Sequence, residues 1–179
     1  ILVNNAGIIR RADAVDFTEE DWDAVMDTNL KAVFRTSRAA IRPMMKQRFG
    51  RIISITSVVG ASGNPGQANY AAAKAGINGL TKAMAKEWGR YNVNVNSVAF
   101  GLIKTRLTEA DASADASIDI EGRQIKVGVS PQILKNAETM IPLGRGGTPE
   151  EAAGAVYLFC IPESDYISGQ VLVCGGGRP

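Results

Sequence analysis

The sequence predicts an α/β domain with a doubly wound parallel sheet, that is, a sheet covered by helices on both faces. Short runs rich in β-branched residues alternate along the chain with long helical stretches, which is the pattern of β-α-β units. Strands buried on both faces read as continuous apolar runs, as these do. The 179 residues, 45% of them apolar and 21% charged, match one globular domain in size and composition.

Four strands and three long helices are expected. The strands lie at 1–4, 51–57, 93–99 and 169–174, and the helices at 18–48, 68–91 and 148–160. Thr18 and Thr148 are suited to cap two helices, because a threonine side chain accepts a hydrogen bond from a free N–H of the first turn. Pro149 suits the first helical position. Pro43 lies inside the first helix, where it removes a hydrogen bond, so a kink or break is expected near residues 41–42.

Residues 106–140 interrupt this alternation. The run 109–117 is polar, and 118–127 alternates around Glu121 and Gly122, which predicts a small β-hairpin. A long excursion between a strand and a helix is usually functional or disordered. We therefore expect an inserted substrate lid here, and a decorated surface loop is the alternative.

The composition excludes several function classes. The net charge of +2 creates no field that would draw the chain to nucleic acid or an anionic membrane, and no apolar run has the length of a membrane span. The chain has no histidine, which rules out Ser-His-Asp and Cys-His catalysis and histidine-ligated metal sites, so no metal is expected. Cys160 and Cys174 are too few for a disulfide scaffold and fit a cytoplasmic setting with free thiols. Any chemistry must use Tyr, Lys, Ser, Asn, carboxylates or a bound cofactor.

One helix carries a tyrosine and a lysine one turn apart. Tyr70 and Lys74 are four residues apart in an alanine-rich stretch, so both project from the same helical face. Ser57 ends the second strand, and open α/β sheets bind ligands at that carboxyl edge. Asn29 lies in the first helix, and the segment NNAG at 4–7 ends the first strand. Together these residues form a candidate site.

In this order and spacing, the motifs resemble those of the short-chain dehydrogenase/reductase family over essentially the whole chain. The matching pieces are NNAG at 4–7, the helical Asn29, Ser57, YAAAK at 70–74, NSVAFG at 96–101, IKT at 103–105 and SGQVLVCGG near the end. The resemblance implies a Rossmann-type fold and a nicotinamide cofactor, NAD or NADP. It also implies an enzyme that interconverts a carbonyl and a secondary alcohol by hydride transfer.

The resemblance further implies roles for a tetrad of residues, Asn29, Ser57, Tyr70 and Lys74. Tyr70 would be the general acid/base, and Ser57 would hydrogen-bond the substrate oxygen. Lys74 would bind the ribose hydroxyls of the cofactor, and Asn29 would hold a water that links Lys74 to a proton relay. The implied cofactor-binding residues are Asn5, Ala6, Gly7, Tyr70, Lys74, Gly101, Ile103 and Thr105.

The spacing also predicts how Lys74 acts on Tyr70. A free phenol has a pKa of about 10, and lowering it to about 7 requires about 4 kcal/mol. An ammonium about 4 Å away, at an effective dielectric constant near 20, supplies about that amount. We therefore expect Lys74 to lower the pKa of Tyr70.

The sequence departs from the family pattern in two ways. The glycine-rich turn (TGxxxGxG) that binds pyrophosphate at a helix N-terminus is absent. Residues 1–179 are therefore expected to be the C-terminal two-thirds of a single NAD(P)-binding domain, with an N-terminally incomplete sheet that lacks the segment choosing between NAD and NADP. The second departure is Phe100, which stands where the family usually has a proline in the wall of the nicotinamide pocket.

Two substrate classes are open. The segment 57–76 is similar to 3-oxoacyl-acyl-carrier-protein reductases, whereas 4–30 is more similar to sugar-acid dehydrogenases that act on gluconate-type substrates. The hairpin at 118–127 has an expected apolar face that suits an acyl chain, so we favour the oxoacyl interpretation. Basic residues from Lys31 to Arg42 would suit an acidic carrier protein, although charged helix exteriors are usually only solvated faces.

A homo-oligomer, most simply a tetramer, is also expected. In the family the helices that correspond to 18–48 and 68–91 pack against their symmetry mates, and the small residues Ala71, Ala75 and Gly79 permit close approach. A catalytically inactive fragment or a binding module is the alternative from another functional class.

Overall fold

The structure, a computed structural model, describes residues 1–105, 108, 117–120, 123–126 and 131–177. Its elements in chain order are β1 (Leu2–Asn4), α1 (Glu19–Met26), a π-helical turn (Asp27–Lys31), α2 (Ala32–Gln47), β2 (Gly50–Ser57), α3 (Val59–Ser62), α4 (Ala68–Trp88), β3 (Val93–Phe100), β4 (Ser117–Ile120), β5 (Arg123–Lys126), α5 (Pro131–Thr139), α6 (Pro149–Tyr157) and β6 (Val171–Cys174), with 3₁₀ turns at Gly89–Tyr91 and Pro162–Ser164.

Four strands form one parallel sheet in the order β1-β2-β3-β6. Ile52 of β2 lies opposite Leu2 of β1, and Phe100 of β3 lies opposite both Ser57 and Cys174, so the carboxyl ends of β2, β3 and β6 are level. Parallel neighbours joined by helices confirm the predicted Rossmann-type α/β architecture. Within the described residues, no helix combines the length and apolarity that a membrane crossing requires.

Helices cover both faces of the sheet. Ile52 packs with residues of α2 and α4, whereas its neighbour Ile53 packs on the opposite face with Phe159, just after α6. This alternation follows from the period of two along a strand. Both isoleucines are almost fully buried, and burial of such a side chain contributes about 1.5–3 kcal/mol.

Threonine caps begin two helices, as predicted. The side chain of Thr18 accepts a hydrogen bond from the N–H of Asp21 at 3.1 Å. Thr148 Oγ1 accepts from the N–H of Glu151 at 3.2 Å, and the Glu151 carboxylate accepts from the N–H of Thr148 at 2.9 Å. This reciprocal capping box, followed by Pro149 in the first turn, satisfies two backbone donors that a helix start leaves without partners.

The first long helix does not break at residues 41–42. α2 continues through Pro43. Pro43 and Ala39, whose carbonyl loses its helical donor, are both exposed, so solvent can satisfy that carbonyl. The α-helical pattern is interrupted earlier, at the π-helical turn Asp27–Lys31 between α1 and α2.

A hairpin and one helix are described between β3 and α6. β4 and β5 pair antiparallel with Ile118 opposite Ile125, which confirms the hairpin. Its expected apolar face and most of 106–130 lie outside the described residues, so the substrate lid stays a prediction, as does the domain assignment of the chain. The helix α5 was not predicted. It ends two residues before Ile141, which is buried.

Both cysteines carry free thiols, as the sequence predicts. Cys160 and Cys174 pack at the edge of the core on the α6 side of the sheet. Burial, together with the negative charge of Glu151, raises the pKa of the Cys174 thiol. Because the thiolate is the reactive form, this thiol is a poor nucleophile.

Candidate active site

The predicted site residues meet where β2 and β3 end. Ser57 is the last residue of β2, and its hydroxyl donates a hydrogen bond to the carbonyl of Phe100, the last residue of β3, at 3.2 Å. The same Oγ accepts a hydrogen bond from the N–H of Val59 at 3.2 Å. Ser57 is buried, so two strand ends and the start of α3 fix the position of its hydroxyl.

Tyr70 and Lys74 share one face of α4, as their spacing predicts. The Nζ atom of Lys74 lies over the Tyr70 ring, 5.5 Å from its centroid. The Lys74 side chain is buried and donates a hydrogen bond to the carbonyl of Ile55 in β2 at 2.8 Å. Burial lowers the pKa of Lys74 to about 8, because a low-dielectric surrounding disfavours the charged form. Lys74 is therefore able to exchange a proton near neutral pH.

The expectation that Lys74 lowers the pKa of Tyr70 is wrong. Burial raises the pKa of the Tyr70 phenol, while hydrogen bonding to Ser57 and the charge of Arg11 lower it by less. The ammonium of Lys74 lies over the Tyr70 ring, 5.5 Å from its centroid, and burial disfavours the charged form of this lysine. Tyr70 is consequently held in its protonated form at neutral pH.

Asn29 lies beside Lys74 and is held by a two-point contact with Ile8. Its Oδ1 accepts a hydrogen bond from the N–H of Ile8 at 2.8 Å, and its Nδ2 donates to the carbonyl of Ile8 at 2.9 Å. Asn29 is fully buried in the π-helical turn Asp27–Lys31, a geometry that is frequent at functional sites. A Cβ added to Gly7 would lie 3.4 Å from Asn29 Oδ1 and 3.8 Å from Lys74 Nζ. Gly7, Asn29 and Lys74 thus form one cluster.

The predicted cofactor-binding segment after β1 is open to solvent. Asn5, Ala6 and Gly7 are all exposed and follow the carboxyl end of β1. Gly7 contacts the cluster of Asn29 and Lys74, so this exposed backbone borders the polar groups of the site. A ligand bound at this edge of the sheet would contact both this backbone and the polar groups of Asn29 and Lys74.

Gly101 follows the end of β3 where the backbone of the β6 side comes close. Its N–H donates to the carbonyl of Cys174 at 2.9 Å. A Cβ at Gly101 would lie 2.9 Å from the Cα of Gly175, so no side chain fits. Phe100 packs against the core on the α6 side of the sheet, and its carbonyl accepts the hydrogen bond from the Ser57 hydroxyl. The residue that replaces the usual proline therefore helps to position Ser57.

Ile103 and Thr105 follow the end of β3. Ile103 is buried and forms a parallel bridge with Gly147. The N–H of Thr105 donates to Thr108 Oγ1 at 2.8 Å. Ile103 thus contacts the loop before α6, and Thr105 contacts its own turn. Their assignment to the cofactor stays a prediction.

Three neighbours of the site were not singled out in the sequence. The hydroxyl of Thr56 donates to the carbonyl of Lys74 at 2.8 Å. A Cβ at Gly60 would lie 2.8 Å from the carbonyl carbon of Lys74, so both residues fix the turn of α4 that carries this lysine. The only sequence signal for them is their closeness to Ser57. The third neighbour is Arg11, whose positive charge acts to lower the pKa of Tyr70. Arg11 belongs to no sequence motif.

The sequence of the chain is similar to those of several known reductases. A family model described as enoyl-(acyl carrier protein) reductase matches residues 1–178. The 3-oxoacyl-[acyl-carrier-protein] reductase FabG of Thermotoga maritima is 45% identical over 177 residues, which are 99% of this chain and 65% of the relative. The FabG of Vibrio cholerae is 46% identical over 177 residues, with 99% and 65% covered. The 3-oxoacyl-[acyl-carrier-protein] reductase of Synechocystis is 46% identical over 178 residues, with 99% and 64% covered.

The parallel sheet, with the tyrosine–lysine helix at its carboxyl edge, defines a Rossmann-type α/β protein. Within that class, the chain belongs to the short-chain dehydrogenase/reductase family. The family predicted from the motifs is thereby confirmed. The chain spans just under two thirds of the length of these curated relatives.

Proposed function

We propose that the protein is an NAD(P)-dependent oxidoreductase that interconverts a carbonyl and a secondary alcohol by hydride transfer, with a 3-oxoacyl thioester on an acyl carrier protein as its substrate. The observation that carries this proposal is the buried Lys74, whose ammonium lies over the Tyr70 ring and which forms one cluster with Asn29 and Gly7 at the edge where Ser57 ends β2. The names of the similar proteins, 3-oxoacyl-[acyl-carrier-protein] reductases at 41–46% identity, support the substrate class.

A nicotinamide cofactor, NAD or NADP, fits the residues present. An ammonium has three donor protons, and the carbonyl of Ile55 accepts one from Lys74, so the others suit ribose hydroxyls. The exposed backbone of Asn5, Ala6 and Gly7 borders this lysine. Gly101, Ile103 and Thr105 would complete the set of residues that hold the cofactor. When bound, the cofactor supplies or accepts the hydride.

The residues of the tetrad supply the proton transfer. The raised pKa keeps Tyr70 protonated, so its hydroxyl is suited to donate a proton to a carbonyl oxygen. When substrate binds, the Ser57 hydroxyl would turn from the Phe100 carbonyl and donate its one hydrogen bond to the same oxygen. Lys74, with a pKa of about 8, returns a proton to Tyr70, and Asn29 orients a water on this path. A positioned general acid contributes about 10²- to 10⁴-fold to a rate.

A sugar-acid dehydrogenase of the same family is the alternative, and it would use the same four residues. The two substrates differ in charge, because a sugar acid carries a carboxylate within a few bonds of the reacting carbon and an acyl thioester does not. The similarity of residues 4–30 to sugar-acid dehydrogenases is the observation that favours the acid.

We also propose that the protein is a homotetramer that packs through α2 and α4. Ala75 and Gly79 are exposed on α4, and a Cβ at Gly79 would meet no atom within 4 Å. Helices with small residues on an exposed face can approach one another closely.

The test is turnover by the full-length protein, followed by the loss of NADPH or NADH absorbance. A 3-oxoacyl thioester and an oxo sugar acid are compared at equal concentration, and binding of each cofactor is measured by fluorescence. Faster reduction of the thioester supports the proposal, and faster reduction of the acid supports the alternative. If neither cofactor binds and neither substrate is reduced, the protein is a binding module or an inactive relative.

A further inference from the structure

The helix that carries Tyr70 begins without a side-chain cap from the residue at its cap position. The N–H of Ala71 donates to the carbonyl of Gln67 at 2.8 Å, which is the first hydrogen bond of the helix, so the N–H of Tyr70 has no acceptor within it. The side chain of Gln67 makes no hydrogen bond to this first turn. Its Oε1 accepts one from Asn64 Nδ2 at 2.6 Å instead. The N–H of Tyr70 therefore needs an acceptor from another group.

Asn69 supplies that acceptor. Its Oδ1 accepts a hydrogen bond from the N–H of Tyr70 at 2.7 Å, and its Nδ2 donates to the backbone carbonyl of Asp21 on α1 at 3.4 Å. Asn69 is fully buried, so water does not compete for either bond. One side-chain amide thus binds the backbone of Tyr70 and ties it to a second helix.

Asp21, the residue at the other end of this tie, is itself held by two contacts. Its N–H donates to the side chain of Thr18 at 3.1 Å, and its Oδ1 lies 3.5 Å from Nε of Arg10. Arg10 belongs to the loop after β1 and follows Gly7 by three residues. The hydrogen bond from Asn69 therefore ends on a part of α1 that is anchored to this loop.

The loop after β1 also contacts the site at both of its ends. Ile8 holds the side chain of Asn29 by two hydrogen bonds. The N–H of Ala12 donates to the carbonyl of Gly66, just before α4, at 3.3 Å. The start of α4 is thus tied to one loop twice, directly and through α1, and the same loop fixes Asn29. This arrangement sets where Tyr70 lies relative to the rest of the tetrad.

We propose that Asn69 is a positioning residue, which holds the first turn of α4 against α1 and so aligns the Tyr70 hydroxyl with the substrate oxygen. This inference rests on the proposed function. Both partners of the Asn69 side chain are backbone groups, so its effect reaches the chemistry only through the placement of Tyr70. A misplacement of about 1 Å is enough to lower a rate about a hundredfold.

A double-mutant cycle with Tyr70→Phe in the full-length protein tests the proposal. Asn69→Leu removes both side-chain hydrogen bonds at nearly constant volume. Asn78→Leu is the matched control, because Asn78 lies on the same helix and its buried Oδ1 has no hydrogen-bond partner in the part of the chain that the structure describes. The kcat and KM for a 3-oxoacyl thioester, the Kd of the cofactor and the melting temperature are measured for each protein.

Asn69→Leu is expected to lower kcat about tenfold to a hundredfold. KM and the Kd of the cofactor should change by less than about threefold, because the groups that bind substrate and cofactor are retained. In the Asn69→Leu background, Tyr70→Phe should cost much less than in the wild type, since a misplaced hydroxyl contributes little and the two effects are not additive. Asn78→Leu should keep kcat within about threefold and retain the full cost of Tyr70→Phe.

Asn69→Asp is the second variant, and it takes the place of the leucine variant in the cycle if that protein does not fold. Its carboxylate keeps an acceptor for the N–H of Tyr70 and lacks the amide donor that binds the carbonyl of Asp21. Its loss of kcat is expected to be smaller than that of Asn69→Leu, and its effect should again be non-additive with Tyr70→Phe.

A titration of the Tyr70 phenol by ultraviolet absorbance gives a readout that does not need turnover. The signal is the difference between each protein and its Tyr70→Phe counterpart. Burial raises the pKa of Tyr70, so release of its turn from α1 should lower that pKa towards about 10. Ser57 and Arg11, which act on the phenol, and Lys74, which faces its ring, are unchanged in every variant. The pKa should not move in Asn78→Leu.

The outcomes separate this inference from the proposed function. Additive losses in the cycle, a loss carried by KM alone, or equal losses in the Asn69 and Asn78 variants overturn the positioning role. If no carbonyl compound is reduced but the phenol titration shifts in the Asn69 variant alone, the proposed function fails and the positioning role stands. If neither kcat nor the titration responds to the loss of Asn69, the inference fails whatever the wild type reduces.

Discussion

Lys74 lies across the ring of Tyr70, with its ammonium 5.5 Å from the ring centroid. In this position the cation faces the negative π-surface of the ring, while Ser57 and Arg11 act on the hydroxyl. The expected lowering of the pKa of Tyr70 by the charge of Lys74 is therefore not found, and the two residues have separate roles. Tyr70 stays protonated and is ready to act as an acid, and Lys74 is the group whose protonation changes near neutrality.

Lys74→Met is expected to stabilise the fold at neutral pH while it abolishes turnover. Burial lowers the pKa of Lys74 from 10.5 to about 8, so the charged lysine costs the folded state up to about 3 kcal/mol. At pH values between about 8 and 10.5 the unfolded state binds more protons than the folded state. The free energy of unfolding of the wild type therefore rises with pH in this range. The advantage of the methionine variant should be largest below pH 8 and should vanish towards pH 10.5.

Urea unfolding at a series of pH values measures this difference. Lys86→Met, at an exposed position of the same helix, is the matched control for loss of a lysine. An advantage of the Lys74 variant that did not change with pH would show that the buried ammonium carries no such penalty.

Gly60→Ala is expected to distort α4 where it carries Lys74. The added Cβ would lie 2.8 Å from two backbone atoms, the carbonyl carbon of Lys74 and the nitrogen of Ala75. Overpacking of this kind costs about 1–3 kcal/mol, and turnover should fall with the shift of the lysine. Gly154→Ala in α6 is the control, because its Cβ meets open space and the helix gains up to about 1 kcal/mol. Equal melting temperatures for the two variants would contradict this account.

The elements that the sequence predicts well are those set by local pattern. β2 is a β-branched run that is buried along its whole length, and the threonine caps follow from side-chain chemistry. The meeting of Ser57 with Phe100 also follows, because the carboxyl ends of parallel strands share one edge. These features need no knowledge of long-range contacts.

The features that were missed depend on the folded surroundings. The π-helical turn Asp27–Lys31 carries Asn29, whose amide bonds to Ile8 more than twenty residues away. The raised pKa of Tyr70 comes from burial of its phenol in the folded chain, which a spacing of four residues does not specify. Arg11 belongs to no motif, and only the folding of its loop against α1 and α4 brings it near the site.

The proposed homotetramer predicts the behaviour of the full-length protein in solution. Sedimentation at micromolar concentration should give four subunits. Gly79→Arg should shift the protein to smaller species, because a long side chain there would prevent close helix approach. Glu163→Arg, at an exposed position outside these helices, should leave assembly unchanged. A wild-type protein that sediments as a monomer would rule the assembly out.

The most direct test of the proposed chemistry is the turnover of the full-length Tyr70→Phe variant with a 3-oxoacyl thioester and the preferred cofactor. Removing the hydroxyl alone should lower kcat at least about a hundredfold, the usual worth of a general acid. The Kd of the cofactor should stay within about threefold of wild type, because Lys74 and the segment after β1 are untouched. Near-normal kcat with bound cofactor would contradict the assignment of Tyr70 as the proton donor.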